Sequence, residues 1–158
     1  IIKAIIKILN NEKIKVISSI YFNPELAAKK GNLTKLKPSL KDITSINKGI
    51  KYLSKSNSLD HVQALVVKDN KIISKEDNRG TKKLLSKSKN NFGGILIKYP
   101  KKKQDLRMDL PTIGLQTLKD CKKNGLKGIV LKPKKNIFLD KIKCLKFANK
   151  NRIFISII

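Results

Sequence analysis

Residues 94–131 read GILIKYPKKKQDLRMDLPTIGLQTLKDCKKNGLKGIVL, and this stretch decides the fold class. Gly94–Lys98 is a short apolar run of the kind that forms a buried strand. The stretch Leu115–Asn124 is a predicted helix, stopped by Gly125. Lys127–Leu131 is a second short strand. The same alternation continues on both sides. Downstream, Asn136–Leu139 is a predicted strand, Asp140 is placed to cap a helix to about Asn149, and Arg152–Ile157 is a last apolar strand. Upstream, Gly80-Thr81 opens a short helix to about Lys87. Ala64–Lys68 and Lys71–Ser74 flank Asp69-Asn70, a two-residue hairpin signal. Leu40, Ile43, Ile46, Ile50 and Leu53 recur every three or four residues and predict a helix of about four turns. Thr34–Pro38 reads as a linker. Asn23-Pro24 is placed to cap a short helix through Ala28, with Gly31 stopping it. Lys15–Ile20 is a β-branched run, predicted as a strand, and Ile1, Ile2, Ile5, Ile6 and Leu9 form one face of a helix. Helices and strands alternate, so the class is α/β. There is no internal repeat.

The chain has 158 residues, enough for one domain with its own core. With 37 Lys and Arg against 11 Asp and Glu, its formal net charge is +26. Its hydrophobic share of 40% is too high for a disordered polycation. No apolar run reaches the roughly 18–20 residues that span a bilayer. The Lys-studded N-terminus lacks a small-residue cleavage site and does not resemble a signal peptide. The first residue is Ile1 and the single methionine is Met108, so the chain is expected to begin inside a longer reading frame. Cys121 and Cys144 have no CxxC or metal-ligand spacing, and read as reduced thiols rather than a zinc or nucleophile site.

A charge this high suggests polyanionic partners. The choice of cation argues otherwise: Lys outnumbers Arg 34 to 3, whereas nucleic-acid sites lean on the bidentate fork of Arg. Ile, Lys and Asn make up 71 of the 158 residues, and all three have AT-rich codons. Biased base composition explains such an excess without selection for binding. The lysines are dispersed, with short clusters only at Lys101–Lys103 and Lys132–Lys135. Aromatics are 5%, which leaves few platforms for stacked bases.

Because acids are scarce, their clustering is informative. In QDLRMDLPTIG, residues 104–114, Asp105, Arg107 and Asp109 alternate with Leu106, Met108 and Leu110. In an extended chain the first three share one face and the second three the other. Pro111 turns Leu110 away from helical angles, which favours that reading. The apolar face would dock on a core while two carboxylates and a guanidinium meet one cleft. A surface strand with an alternating charge pair fits the same pattern. Side chains four residues apart on a strand are about 13 Å apart, too far for one Mg²⁺ to take both carboxylates. Either the segment bends, or one aspartate holds metal or water and the other has another task. Two predicted helix starts, Gly80-Thr81 and Thr112–Gly114, offer free backbone N–H groups to phosphate. Lys98 and Lys101 are placed to neutralise phosphate oxygens. His61, the single histidine, has no nucleophile pattern beside it and reads as structural or solvated.

This segment resembles the C-terminal domain of the LpxI-type UDP-2,3-diacylglucosamine pyrophosphatases. Gly94, Lys98, Pro100, Lys101, Gln104, Asp105, Arg107, Asp109, Leu110, Pro111, Thr112, Ile113 and Gly114 stand at the family's motif positions, and Gly125, Leu126, Gly128 and Ile129 continue it. Upstream, Asp42-Ile43 and Gly49 resemble the linker helix, Leu59-Asp60 with Gln63-Ala64 an L-D-x-x-Q-A strand, and Gly80-Thr81 with Leu84-Leu85 an E-G-T-D-x-M-L motif. In that last motif Arg79 and Lys82 replace both acids. The resemblance implies a mixed sheet with flanking helices. It divides the chain into residues 1–34, a remnant of a Rossmann-like N-terminal domain with its linker, and residues 35–158, a C-terminal catalytic domain. It also implies Mg²⁺-dependent hydrolysis of UDP-2,3-diacylglucosamine to UMP and 2,3-diacylglucosamine 1-phosphate in lipid A biosynthesis. Asp105, Asp109 and Arg107 would then be catalytic, with both aspartates as metal candidates. Lys98, Lys101, Gln104, Thr112, Gly114, Gly80 and Thr81 would contact substrate. The implied setting is a homodimer in the cytoplasm, peripheral to the inner-membrane surface, with no nucleic-acid partner.

The competing reading is a basic RNA-binding or ribosome-associated module, and a third is a piece of an enzyme with no activity of its own. Dispersed lysines and scarce aromatics predict weak RNA binding at about 150 mM salt. A filter-binding or anisotropy titration checks this, and sub-micromolar affinity for one defined RNA would favour the RNA module.

Overall fold

A computed structural model describes residues 2–55, 62–88, 92–101 and 104–158. The readings of Leu59-Asp60 and His61, part of the loop expected at residues 90–94, and Lys102 and Lys103 lie outside the described residues.

The core is a six-stranded mixed sheet in the order β1 (Gly31–Asn32), β8 (Phe154–Ile157), β6 (Gly128–Leu131), β4 (Ile95–Lys98), β2 (Ala64–Lys68) and β3 (Lys71–Lys75). Strands β4, β6 and β8 run parallel. Strand β2 is antiparallel to both β4 and β3, and β1 is antiparallel to β8. Thr112–Ile113 (β5) and Ile137–Phe138 (β7) form a separate parallel pair. The three central parallel strands are buried at every position, as expected when helices cover both faces.

The pleat sorts the side chains. Leu65, Val67, Ile95, Ile97, Val130 and Phe154 pack with Ile46 and Ile50 of α3 (Leu40–Lys55). Ala64, Val66, Leu96, Ile129 and Ile155 point the other way, into the cluster that holds Leu84 and Leu85 of α4 (Gly80–Lys87), Leu118 of α5 (Leu115–Lys123) and Ala148 of α6 (Lys141–Lys150). The molecule thus has helix, sheet and helix layers. Helix α3 begins in a reciprocal cap. The Ser39 amide donates to Asp42 Oδ2 at 3.0 Å and the Asp42 amide donates to Ser39 Oγ at 3.3 Å. Lys127 Nζ, 2.8 Å from Asp42 Oδ1, ties this cap to the start of β6. The hairpin is as expected: Asp69 and Asn70 both have positive φ, 46° and 56°, the primed turn that matches strand twist.

Several expectations change. Lys15–Ile20 forms no strand. Residues 14–18 are irregular and Ser19–Phe22 (α2) is a single helical turn, because the Ser18 hydroxyl accepts from the Ile20 amide and ends the extended run. The turn after Asn23 is a 3₁₀ helix, Pro24–Leu26, and it stops before Ala27, which bridges to Ile137. Gly31 does more than end a helix. It opens edge strand β1, and Thr34 Oγ1 continues the contact by accepting from the Ile155 amide at 2.8 Å. Asp140 precedes α6 in a left-handed conformation, φ 47°, and its side chain makes no capping bond. Helix α1 (Ile2–Asn11) forms as expected, with Ile6 buried.

Two glycines set how closely layers approach. A Cβ on Gly49 would meet Ile97, Val67 and Leu65 at 2.5–3.0 Å, so glycine lets α3 lie directly on the sheet. At Gly128 a Cβ would overlap the Phe154 ring on the neighbouring strand. Gly128→Ala is therefore expected to destabilise by roughly 3 kcal/mol or more, since neither partner can withdraw from the sheet. Chemical denaturation measures this, and adding Phe154→Leu should recover part of the loss.

Candidate functional site

The segment expected to be extended is a turn. The Asp105 carbonyl accepts from the Met108 amide at 3.2 Å and from the Asp109 amide at 2.9 Å. The Asp105 side chain offers its own acceptors to the local backbone: Oδ1 takes the Arg107 amide at 3.0 Å and Arg107 Nε at 2.9 Å, and Oδ2 takes Arg107 Nη2 at 2.6 Å. A short aspartate that captures the amide two residues on bends the chain. Strand pairing starts only at Thr112, beyond Pro111. The expected apolar face does not form either, because Met108 is 43% exposed. The chain bends here, and Asp105 nonetheless gives its carboxylate to Arg107 rather than sharing a site with Asp109.

Behind this turn lies a buried polar chain. Lys98, the last residue of β4, is 7% exposed. Its Nζ donates to Thr81 Oγ1 at 3.0 Å and to the Thr112 carbonyl at 3.0 Å. Thr81 Oγ1 donates onward to Glu76 Oε1 at 2.7 Å, and Glu76 Oε2 accepts from the Gln63 amide at 3.2 Å. The Gln63 side chain is met by Gln104 Nε2 at 3.5 Å. Burial holds the Lys98 ammonium below the ordinary lysine range, and Glu76, Asp109 and Cys121 pull against that shift. Asn136 Nδ2 donates to the Lys98 carbonyl, which fixes the end of β4 from the opposite side.

In front of the turn is a cleft of about 550 Å³. Arg107, Asp109 and Thr112 line it on one side, and Leu9, Ile14 and Ile17 of the N-terminal segment face them. A larger apolar groove of about 1130 Å³, between the 3₁₀ turn and α6, contains none of the residues that the sequence singled out.

The expected site residues thus divide. Thr81, Lys98, Asp109 and Thr112 come together, with the Asp105–Arg107 pair on the rim. Gly80 supplies the positive φ of 78° that starts α4. Lys101 and Gln104 bond to each other, with the Lys101 amide donating to Gln104 Oε1 at 2.8 Å. Gly114 stands apart, its missing Cβ directed at Leu139. Sequence reasoning missed Glu76. The available signal was the acid pair Glu76-Asp77 between β3 and the Gly80-Thr81 start in a chain with only 11 acids.

Among the described residues no group of three or more His, Cys, Asp or Glu stands close enough to form a protein cage for a metal ion. Both Asp105 oxygens are committed to Arg107. The Asp109 carboxylate accepts no hydrogen bond among the described residues and lines the cleft. This donor set fits a Mg²⁺ held by one carboxylate, substrate phosphates and water, the usual habit of that ion.

The model of the LpxI C-terminal domain family matches residues 29–156. A Caulobacter vibrioides protein named UDP-2,3-diacylglucosamine pyrophosphatase LpxI is 27% identical over 141 residues, which are 83% of this chain and 50% of that protein. The chain therefore spans about half the length of this curated relative.

Arg107 draws the Asp105 carboxyl down to about 2, chiefly through its side-chain hydrogen bonds and then through its amide. With the folded value depressed, the pair's stabilisation is complete above the ordinary aspartate value near ~3.9 and is lost as pH falls towards about 2. An NMR titration of the Asp105 carboxyl carbon should show this low midpoint, and Arg107→Gln should return it towards the ordinary range. A wild-type midpoint near ~4 would mean that the pair does not form in solution.

Proposed function

The chain belongs to the LpxI C-terminal domain family, and on that premise we propose that its cleft is part of the site at which the pyrophosphate bond of UDP-2,3-diacylglucosamine is hydrolysed. Water would add to one phosphorus, the bridging P–O bond would break, and UMP and 2,3-diacylglucosamine 1-phosphate would leave. This activity would serve lipid A biosynthesis. The observation that carries it is the make-up of the cleft: a guanidinium, a carboxylate and a threonine set among aliphatic side chains, with Lys15 and Ser19 on the N-terminal wall. Such a cleft suits a substrate with charged phosphates and acyl chains.

Pyrophosphate hydrolysis needs neutralised phosphoryl oxygens and a placed water. Arg107, steadied by Asp105, presents its guanidinium at the rim, where it can contact phosphate. Asp109 would hold Mg²⁺, which would supply further charge neutralisation. Lys98 adds positive potential from beneath, with its ammonium kept off the phosphates by Thr81 and the Thr112 carbonyl. Among the described residues no helix is long and apolar enough to cross a membrane. The substrate's acyl chains would bring the proposed site to the inner-membrane surface, where anionic headgroups attract a basic exterior.

The test uses the complete gene product, UDP-2,3-diacylglucosamine and Mg²⁺, with UMP release as the readout. Asp109→Asn is expected to lower kcat about 10²-fold or more with little change in thermal midpoint. Asp105→Ala removes the side-chain acceptors that shape the turn, so rate and midpoint should fall together. Near-normal turnover in Asp109→Asn would remove that residue from the chemistry. No UMP release from the wild type with Mg²⁺ or Mn²⁺ would end the proposal.

A further inference from the structure

Glu76 is 4% exposed, and both of its carboxylate oxygens are used. Among the described residues no cation touches it. A buried carboxylate without a countercharge is costly. Its countercharge here is Lys98, reached through one hydroxyl. Lysine has only donors, so the direction of the chain is fixed: Lys98 Nζ donates to Thr81 Oγ1, and Thr81 donates to Glu76 Oε1. A second Lys98 N–H is spent on the Thr112 carbonyl, three residues beyond Asp109.

The same turn carries the bases that replace the family's acids, and they face outward. Arg79 Nη2 lies 2.6 Å from Asp77 Oδ2, with its side chain 56% exposed, and Lys87 joins the same carboxylate at 2.8 Å. Lys82 is exposed. Neither replacement puts positive charge beside Lys98, and the interior negative charge comes from Glu76.

We propose that Glu76 is a positioning residue, which acts through the Thr81 hydroxyl to hold Lys98 against the Thr112 carbonyl and so to set the Asp109–Thr112 segment in the cleft. The inference rests on the proposed hydrolysis for its kinetic meaning only. The groups that face Lys98 are Glu76, Asp109 and Cys121, from three different parts of the chain.

Thr81 separates positioning from packing. Thr81→Val keeps the shape and removes the hydroxyl, and Thr81→Ser keeps the hydroxyl. In the 158-residue chain, amide NMR spectra of Thr81→Val and Glu76→Gln should show shifts at Asp109, Leu110, Thr112 and Ile113, and Thr81→Ser should leave those resonances in place. In the complete gene product, Thr81→Val and Glu76→Gln should each lower kcat roughly 10-fold to 10²-fold with KM within about twofold, the double variant should be no worse than either single, and Thr81→Ser should stay close to wild type. Shifts confined to residues 76–82, or a Thr81→Val enzyme with normal kcat, would overturn the inference. Loss of wild-type turnover alone would overturn the proposed hydrolysis, and the NMR comparison would still decide the positioning role.

Discussion

Lys98 sits inside the protein with its charge, and much of the local structure answers to that fact. A buried ammonium needs acceptors for its N–H groups and negative charge within reach. Here the acceptors come from two separate elements, the Thr81 side chain at the start of α4 and the Thr112 carbonyl at the start of β5. The negative charge comes from Glu76 and Asp109. One cation therefore draws together the end of the β2–β3 hairpin, the first turn of α4, the end of β4 and the strand that comes after the Asp105 turn.

The sheet makes this convergence possible. Strands β4, β6 and β8 run parallel and are buried on both faces, so the chain leaving β4 emerges at the carboxyl edge of the parallel strands. Open α/β sheets gather their ligand-facing loops at that edge. The glycines at positions 49 and 128 leave the space that α3 and the Phe154 ring occupy against the sheet.

The bases at Arg79 and Lys82 stay clear of the buried Lys98. Arg79 and Lys87 share the Asp77 carboxylate at the surface, where water screens all three. The interior pair across the Thr81 hydroxyl is not screened in that way.

The α/β class, the helix over 40–55, the hairpin at Asp69-Asn70, the strand at 95–98 and the Gly125 stop were legible because each rests on local rules: apolar period, turn chemistry and glycine at positive φ. The QDLRMDLPTIG block stood out as a candidate through the scarcity of acids and its family resemblance. Its shape was not legible. Alternation of polar and apolar residues specifies a strand only where a partner strand exists, and between Asp105 and Asp109 the aspartate's own hydrogen bonds win. The same reason undoes the expected strand at Lys15–Ile20. Glu76 was invisible for a different reason. Its role depends on Thr81 and Lys98, 5 and 22 positions away in sequence, and only the packing of α4 onto the sheet brings the three into one buried line. Local sequence decided most of the elements and marked candidate residues, and tertiary structure decided which charges meet, because burial makes a hydrogen-bond partner obligatory wherever in the chain it is found.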